Sequence, residues 1–145
     1  MLSSGGFDSL TAKHDLAHEL AGAGRAEVLH IGDHDPSGVH IFLALAEDVS
    51  AMVRGLGGNE PAFTRLAVTL AQAEALGLLT APPKPTDRRA FAGETVQAEA
   101  IPPDVLATLV GDAIAGRQDW ETRADVLGRE ASARADLLNR LGVAA

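Results

Sequence analysis

The chain has 145 residues, of which 46% are hydrophobic and 22% charged, and its net charge is −8 at neutral pH. That length suits one ordinary domain with a proper core, and no apolar run approaches the roughly 18 residues of a membrane span. Acidic residues outnumber basic ones 20 to 12, which argues against tight nucleic-acid binding by this chain alone, because phosphate neutralisation dominates such affinity.

Aromatics at 3% leave little for stacking on unpaired bases. With no cysteine there is no disulfide framework, no thiolate nucleophile and no Cys-based zinc site. The opening Met1-Leu2-Ser3-Ser4-Gly5-Gly6 has neither the basic start nor the apolar stretch of a signal peptide. Cytoplasmic localisation is therefore the expectation.

In chain order, Met1-Leu2 reads as the last residues of a strand, broken by Ser3-Ser4-Gly5-Gly6. Asp8 or Ser9 caps a helix over about Leu10 to Ala21, with Leu10, Leu16, Ala17 and Leu20 on one face. Glu27 to Gly32 reads as a buried strand. After an acidic loop, Pro36 opens a largely apolar helix that ends at Gly55 to Gly58. A strand is expected at about Phe63 to Thr69, a short helix from Ala71 to Leu76, and an extended proline loop from Thr80 to Asp87. Thr95 to Ala100 is expected as a last short strand, and Pro102-Pro103-Asp104 begins a helix through about Ala115. Asp119 to Leu141 reads as a longer amphipathic helix. The alternation predicts an α/β fold, a Rossmann-like parallel sheet flanked by helices with a C-terminal helical tail. The α/β domain is placed at 1–116 with its first strand largely missing, and the tail helix at 117–145, packing on the domain or on a partner.

The chemistry concentrates in Ile31-Gly32-Asp33-His34-Asp35-Pro36-Ser37-Gly38. Two carboxylates at i and i+2 just past a strand end can converge on one hard cation, Mg²⁺ or Mn²⁺, which keeps several waters and shares substrate phosphates. Open α/β sheets place their ligands at this end of the strands. Ser37 and Gly38 then start a helix whose free N–H groups favour an anion, and Gly38 permits close approach. Asp-x-Asp triplets also occur as plain loop and cap residues, so Asp35 could simply cap the helix. Arg88 and Arg89 are further candidates for phosphate contact.

This octet resembles the second acidic motif of Toprim domains, and its wording is closest to that of the A subunit of topoisomerase VI and of small Toprim-like proteins of mobile elements and prophages. Gly5-Gly6-Phe7-Asp8-Ser9 upstream is similar to the turn before the same helix. Arg65-Leu66-Ala67-Val68-Thr69 with Gln72, Pro82-Pro83-Lys84-Pro85-Thr86-Asp87-Arg88, and Gln97-Ala98-Glu99-Ala100-Ile101-Pro102-Pro103 are similar to the strand, proline loop and helix start of the mobile-element group. The likeness spans roughly residues 5 to 115. It implies a nuclease-like domain for DNA cleavage or processing, with Asp33 and Asp35 as ligands of Mg²⁺ or Mn²⁺. It also implies a glutamate on a strand preceding Met1, since Glu19 and Glu27 lie in other elements, and a tyrosine nucleophile that this tyrosine-free chain does not contain. The expectation is a portion of a larger protein or a degenerate relative, incomplete for catalysis alone. A partner domain or subunit would supply the missing glutamate and nucleophile, DNA would bind only weakly to the chain alone, and a homodimer is conceivable.

Two other readings compete. One is a non-catalytic Toprim-like scaffold or interaction domain. The other is a phosphatase of the haloacid dehalogenase kind, with Asp33 as nucleophile and Thr69 and Lys84 mimicking later motifs. His14 and His18 fall at i and i+4, a zinc-chelating spacing with no third ligand in view. His34 could touch phosphate or be merely exposed, His30 reads as a packed histidine, and Glu99 as a structural hydrogen bonder. Arg123, Arg129, Glu130 and Arg134 read as a solvated face.

Overall fold

The computed structural model describes residues 9–84 and 91–142. They fold as α1 (Leu10–Gly22), β1 (Glu27–Ile31), α2 (Pro36–Gly55), β2 (Ala62–Ala67), α3 (Leu70–Leu76), α4 (Pro103–Ala115) and α5 (Trp120–Leu141), with a 3₁₀ turn at Ala98–Ala100. The start of the chain, including Met1-Leu2, and the segment holding Arg88 and Arg89 lie outside the described residues. Two compact units are present, one reaching to Ala107 and the other beginning at Thr108. Among the described residues no helix is long and apolar enough to cross a membrane.

The first unit is an α/β fold whose small sheet holds two parallel strands, β1 and β2, joined through α2 and flanked by helices. Pairing runs from Glu27–Ala62 to His30–Arg65 and then slips, so that Ile31 stands opposite Ala67. Ser9 caps α1 by accepting the Ala12 N–H. Where α1, α2 and β2 meet, Ala17, Val49 and Val53 are fully buried, with Leu16, Leu20, Leu45, Met52 and Phe63 around them. Leu10, expected on that face, is 72% exposed. Already at Lys13 the α1–α2 contact is an ion pair, to Asp48 at 2.7 Å, so the apolar stripe begins only a turn further on.

A second cluster gathers at the strand ends, where Ala67, Val68, Ala73, Val96 and Ile101 are buried and Ile31, Leu78, Ala100, Val105 and Leu106 pack against them. β2 stops short of the expected Thr69 because Thr69 caps α3. Its hydroxyl accepts the Gln72 N–H at 3.2 Å while the Gln72 side chain accepts the Thr69 N–H at 2.9 Å, a reciprocal capping box. The strand expected over Thr95 to Ala100 is replaced by two isolated antiparallel bridges, Ala81–Thr95 and His34–Val96, followed by the 3₁₀ turn. The physical reason is that the Ala98 N–H donates to Asp33 Oδ1 at 2.7 Å, which ends the ladder after a single pair.

Truncating Val53 to Ala in the sealed α1–α2 core should cost about 2–3 kcal/mol, the transfer term plus the cavity left behind. Leu10→Ala, at an exposed position, should change stability by no more than about 0.5 kcal/mol. Urea unfolding of both variants gives the comparison.

Candidate functional site

The loop 32–35 leaves β1 between two neighbours and is fastened to both. On the β2 side, the Gly32 N–H donates to Ala67 O at 2.9 Å and the Val68 N–H donates to Gly32 O at 3.0 Å. Toward residues 95–98, His34 and Val96 exchange both backbone hydrogen bonds, at 2.8 and 3.0 Å. Each aspartate also has a defined partner. Asp33 Oδ1 accepts from Ala98 N, and Asp35 Oδ1 accepts from Gly38 N at 2.6 Å, which makes Asp35 the N-cap of α2. The Gly38 N–H therefore serves the cap.

Gly38 is required by close approach rather than by its torsions. A Cβ there would collide with the backbone oxygen of Asp33 and lie 3.3 Å from Asp35 Oδ1. Pro36, at the first position of α2, has no N–H to leave unsatisfied. Sequence and geometry agree on this turn.

Arg65 is the residue that sequence reasoning left without a role. Standing on β2, its Nη2 donates to Gly32 O at 2.9 Å and to Asp33 O, its Nη1 to Gly38 O at 3.4 Å, and its Nε to Val68 O at 3.3 Å. One planar fork thus gathers carbonyls from the loop, from the first turn of α2 and from the chain after β2. The Phe42 ring lies beside the guanidinium, 6.0 Å from centroid to Cζ, and packs against His30 on its own account at 4.9 Å. Burial lowers the Arg65 pKa, while Asp33 and then Asp35 act the other way; arginine remains a cation throughout the physiological range. The only available signal was Arg65's position on the strand paired with β1, which is visible once register is known.

The His34 ring packs against Phe91 at 5.3 Å. Burial, and then the nearby Arg65 charge, lower its pKa, and Asp35 opposes them. His14 and His18 lie edge to face at 4.5 Å on α1. Among the described residues no group of three or more His, Cys, Asp or Glu side chains could by itself hold a metal ion. Thr69 is committed to the cap of α3, and Glu99 lies in the 3₁₀ turn.

At the N-terminus of α2 a cleft of about 100 Å³ is lined by Asp35, Pro36, Ser37, Lys84, Thr95 and Gln97, several times the space one water needs. Three separate stretches of chain supply it. Asp35 and Ser37 are residues the sequence points to; Thr95 and Gln97 are not, and Lys84 enters there only through the phosphatase reading. Comparison of the chain with protein-family models, with curated proteins and with solved structures finds no match.

Replacing Arg65 by Met removes a half-buried fork of charge-assisted bonds and takes its donors away from the Asp33 and Val68 carbonyls. It should destabilise the protein by about 2–4 kcal/mol and speed amide exchange at His34 and Val96 selectively. The His34 resonances should titrate below the ordinary 6.5. Because the folded-state pKa is depressed, the stability His34 contributes is present above pH 6.5 and lost as pH falls through that lower value. A proton NMR titration, set beside unfolding curves across that window, measures both.

Proposed function

We propose that this chain is a Toprim-type domain that takes part in DNA cleavage or processing, holding a phosphate group at the N-terminus of α2 together with Mg²⁺ or Mn²⁺. The observation that carries the reading is the cleft in which Asp35 and Ser37 at the start of α2 meet Lys84 and Thr95 from later segments. A carboxylate, a hydroxyl, an ammonium group and a helix start in one small space form a donor and acceptor set for a metal-bridged phosphate.

The residues fit a shared ion better than a closed cage. Asp33 and Asp35 each engage Oδ1 with a backbone N–H, and the Oδ2 atoms are the oxygens assigned to metal. Mg²⁺ accepts such a sparse set when substrate phosphates and waters complete its shell. When bound, the ion would offset charge on the phosphate; Lys84 and Ser37 would hold the phosphate oxygens. In this reading Arg65 keeps the loop in shape from behind and does not touch substrate. A partner domain or subunit supplies the third acid and the nucleophile.

The N-cap bond of Asp35 and the Asp33–Ala98 bond also favour a second reading, in which both carboxylates serve the fold alone and the domain is a Toprim-like scaffold. Asparagine separates the two, since it retains the side-chain oxygen needed for both bonds. The D33N/D35N chain should keep its melting temperature within a few degrees yet bind Mn²⁺ about tenfold or more weakly. In wild type, a short DNA oligonucleotide should tighten Mn²⁺ binding, and Lys84→Ala should remove that gain. Unchanged Mn²⁺ affinity in D33N/D35N would leave the scaffold reading.

A further inference from the structure

Helix α1 carries a pair of histidines that the acidic loop does not use. His14 and His18 stand at i and i+4, one turn apart on the same side of the helix. Ala17, between them in sequence, is fully buried with Val49 and Val53, and Leu16 and Leu20 pack on the same cluster, so the core of the first unit fixes the register of the pair. Ser9 caps the helix ahead of them. Of the five histidines in the chain, His30 and His34 each lie against a phenylalanine ring. The rings of His14 and His18 lie against each other, with centroids 4.5 Å and planes 71° apart.

That separation is the one a chelate needs. With metal–nitrogen bonds of about 2.0–2.1 Å and an imidazole radius of about 1.1 Å, two rings at right angles on one ion have centroids about 4.5 Å apart, and at the tetrahedral angle about 5.2 Å. Right-angle donors belong to tetragonal ions, Cu²⁺ first and Ni²⁺ after it, and imidazole nitrogen selects these over Mg²⁺. The surrounding charge agrees. Lys13, the neighbouring cation on α1, is engaged by Asp48 at 2.7 Å on the α2 side. Asp15 and Glu19 directly follow the two histidines, in a chain whose net charge is −8. A dication between the rings therefore meets acids beside it and its nearest lysine already paired.

We propose that His14 and His18 form a two-nitrogen site for a tetragonal transition ion, Cu²⁺ in preference to Ni²⁺, distinct in donor chemistry from the oxygen site at the start of α2. Among the described residues no third His, Asp or Glu completes the set, so water fills the remaining positions and the ion exchanges readily. Its hold rests on the chelate. The helix presents both nitrogens at once, and the second binds at the high effective concentration that the first creates.

Calorimetric titration of the full chain with Cu²⁺, in a non-coordinating buffer and a large excess of Mg²⁺, tests this. The tightest site should take one Cu²⁺ per chain. His14→Ala and His18→Ala should each weaken it about tenfold or more, with far-UV circular dichroism unchanged. Ni²⁺ should bind the same site more weakly than Cu²⁺. Paramagnetic broadening of amide resonances by substoichiometric Cu²⁺ reads the position without any substitution, and it should centre on α1. A wild-type chain that binds Cu²⁺ no better than the H14A/H18A double variant, an affinity that survives either single substitution, or broadening centred away from α1 would each overturn the assignment.

Discussion

The site end of this fold depends on one cation surrounded by carbonyl oxygens. Arg65 stands on β2 and donates to backbone acceptors of Gly32, Asp33, Gly38 and Val68, at a sharp exit from a strand where Gly32 O also accepts the Val68 N–H. An unpaired carbonyl in such a place costs about 1–3 kcal/mol, so losing this fork would remove a sizeable share of a typical domain stability of about 5–15 kcal/mol. A guanidinium is the side chain suited to this, because its donors diverge in one plane from a single rigid group. Lysine offers a point charge and would leave part of the set unmet.

The same cation shapes the electrostatics of the acidic loop. It sits close to two aspartates in a chain with a large excess of acid, and it influences His34 between them. The aspartates support its charge against burial, and it disfavours protonation of His34. Asp33 and Asp35 thus stand close to a fixed positive group.

Much of this arrangement was legible along the chain, and what was not has identifiable causes. Elements with a local signature came through. Pro36 after Asp35 marked the start of α2, the Asp8-Ser9 pair marked the start of α1, where Ser9 is the cap, and the β-branched run after Glu27 gave β1 nearly to its last residue. The failures are contests that local patterns cannot decide. Thr69 has strand propensity, yet its hydroxyl and the Gln72 amide form a cap, and the cap prevails. Thr95-Val96 alternates as a strand should, but Asp33, far upstream, takes the next N–H. Leu10 has the right periodicity and faces water because helix contact begins further along α1. At the site, Asp35 and Ser37 were visible as a motif. Arg65, Thr95 and Gln97 were not, since each enters through a tertiary contact and none has a neighbour in sequence to announce it.

The bond from the Ala98 N–H to Asp33 joins residues 65 positions apart. Closing that loop costs only about 0.6 kcal/mol more than closing the half-as-long one between Gly32 and Arg65, so the difference between the two contacts is when their residues are made. During synthesis, β1, α2 and β2 can assemble while the chain beyond residue 90 is still missing, and at that stage the acidic loop has its Arg65 clasp but no second wall. The carboxylate of Asp33 acquires its fixed orientation only when the 3₁₀ turn arrives. Two properties that look inseparable in the finished molecule therefore need different lengths of chain: the shape of the loop needs residues through Val68, and the aim of its first carboxylate needs the 3₁₀ turn as well.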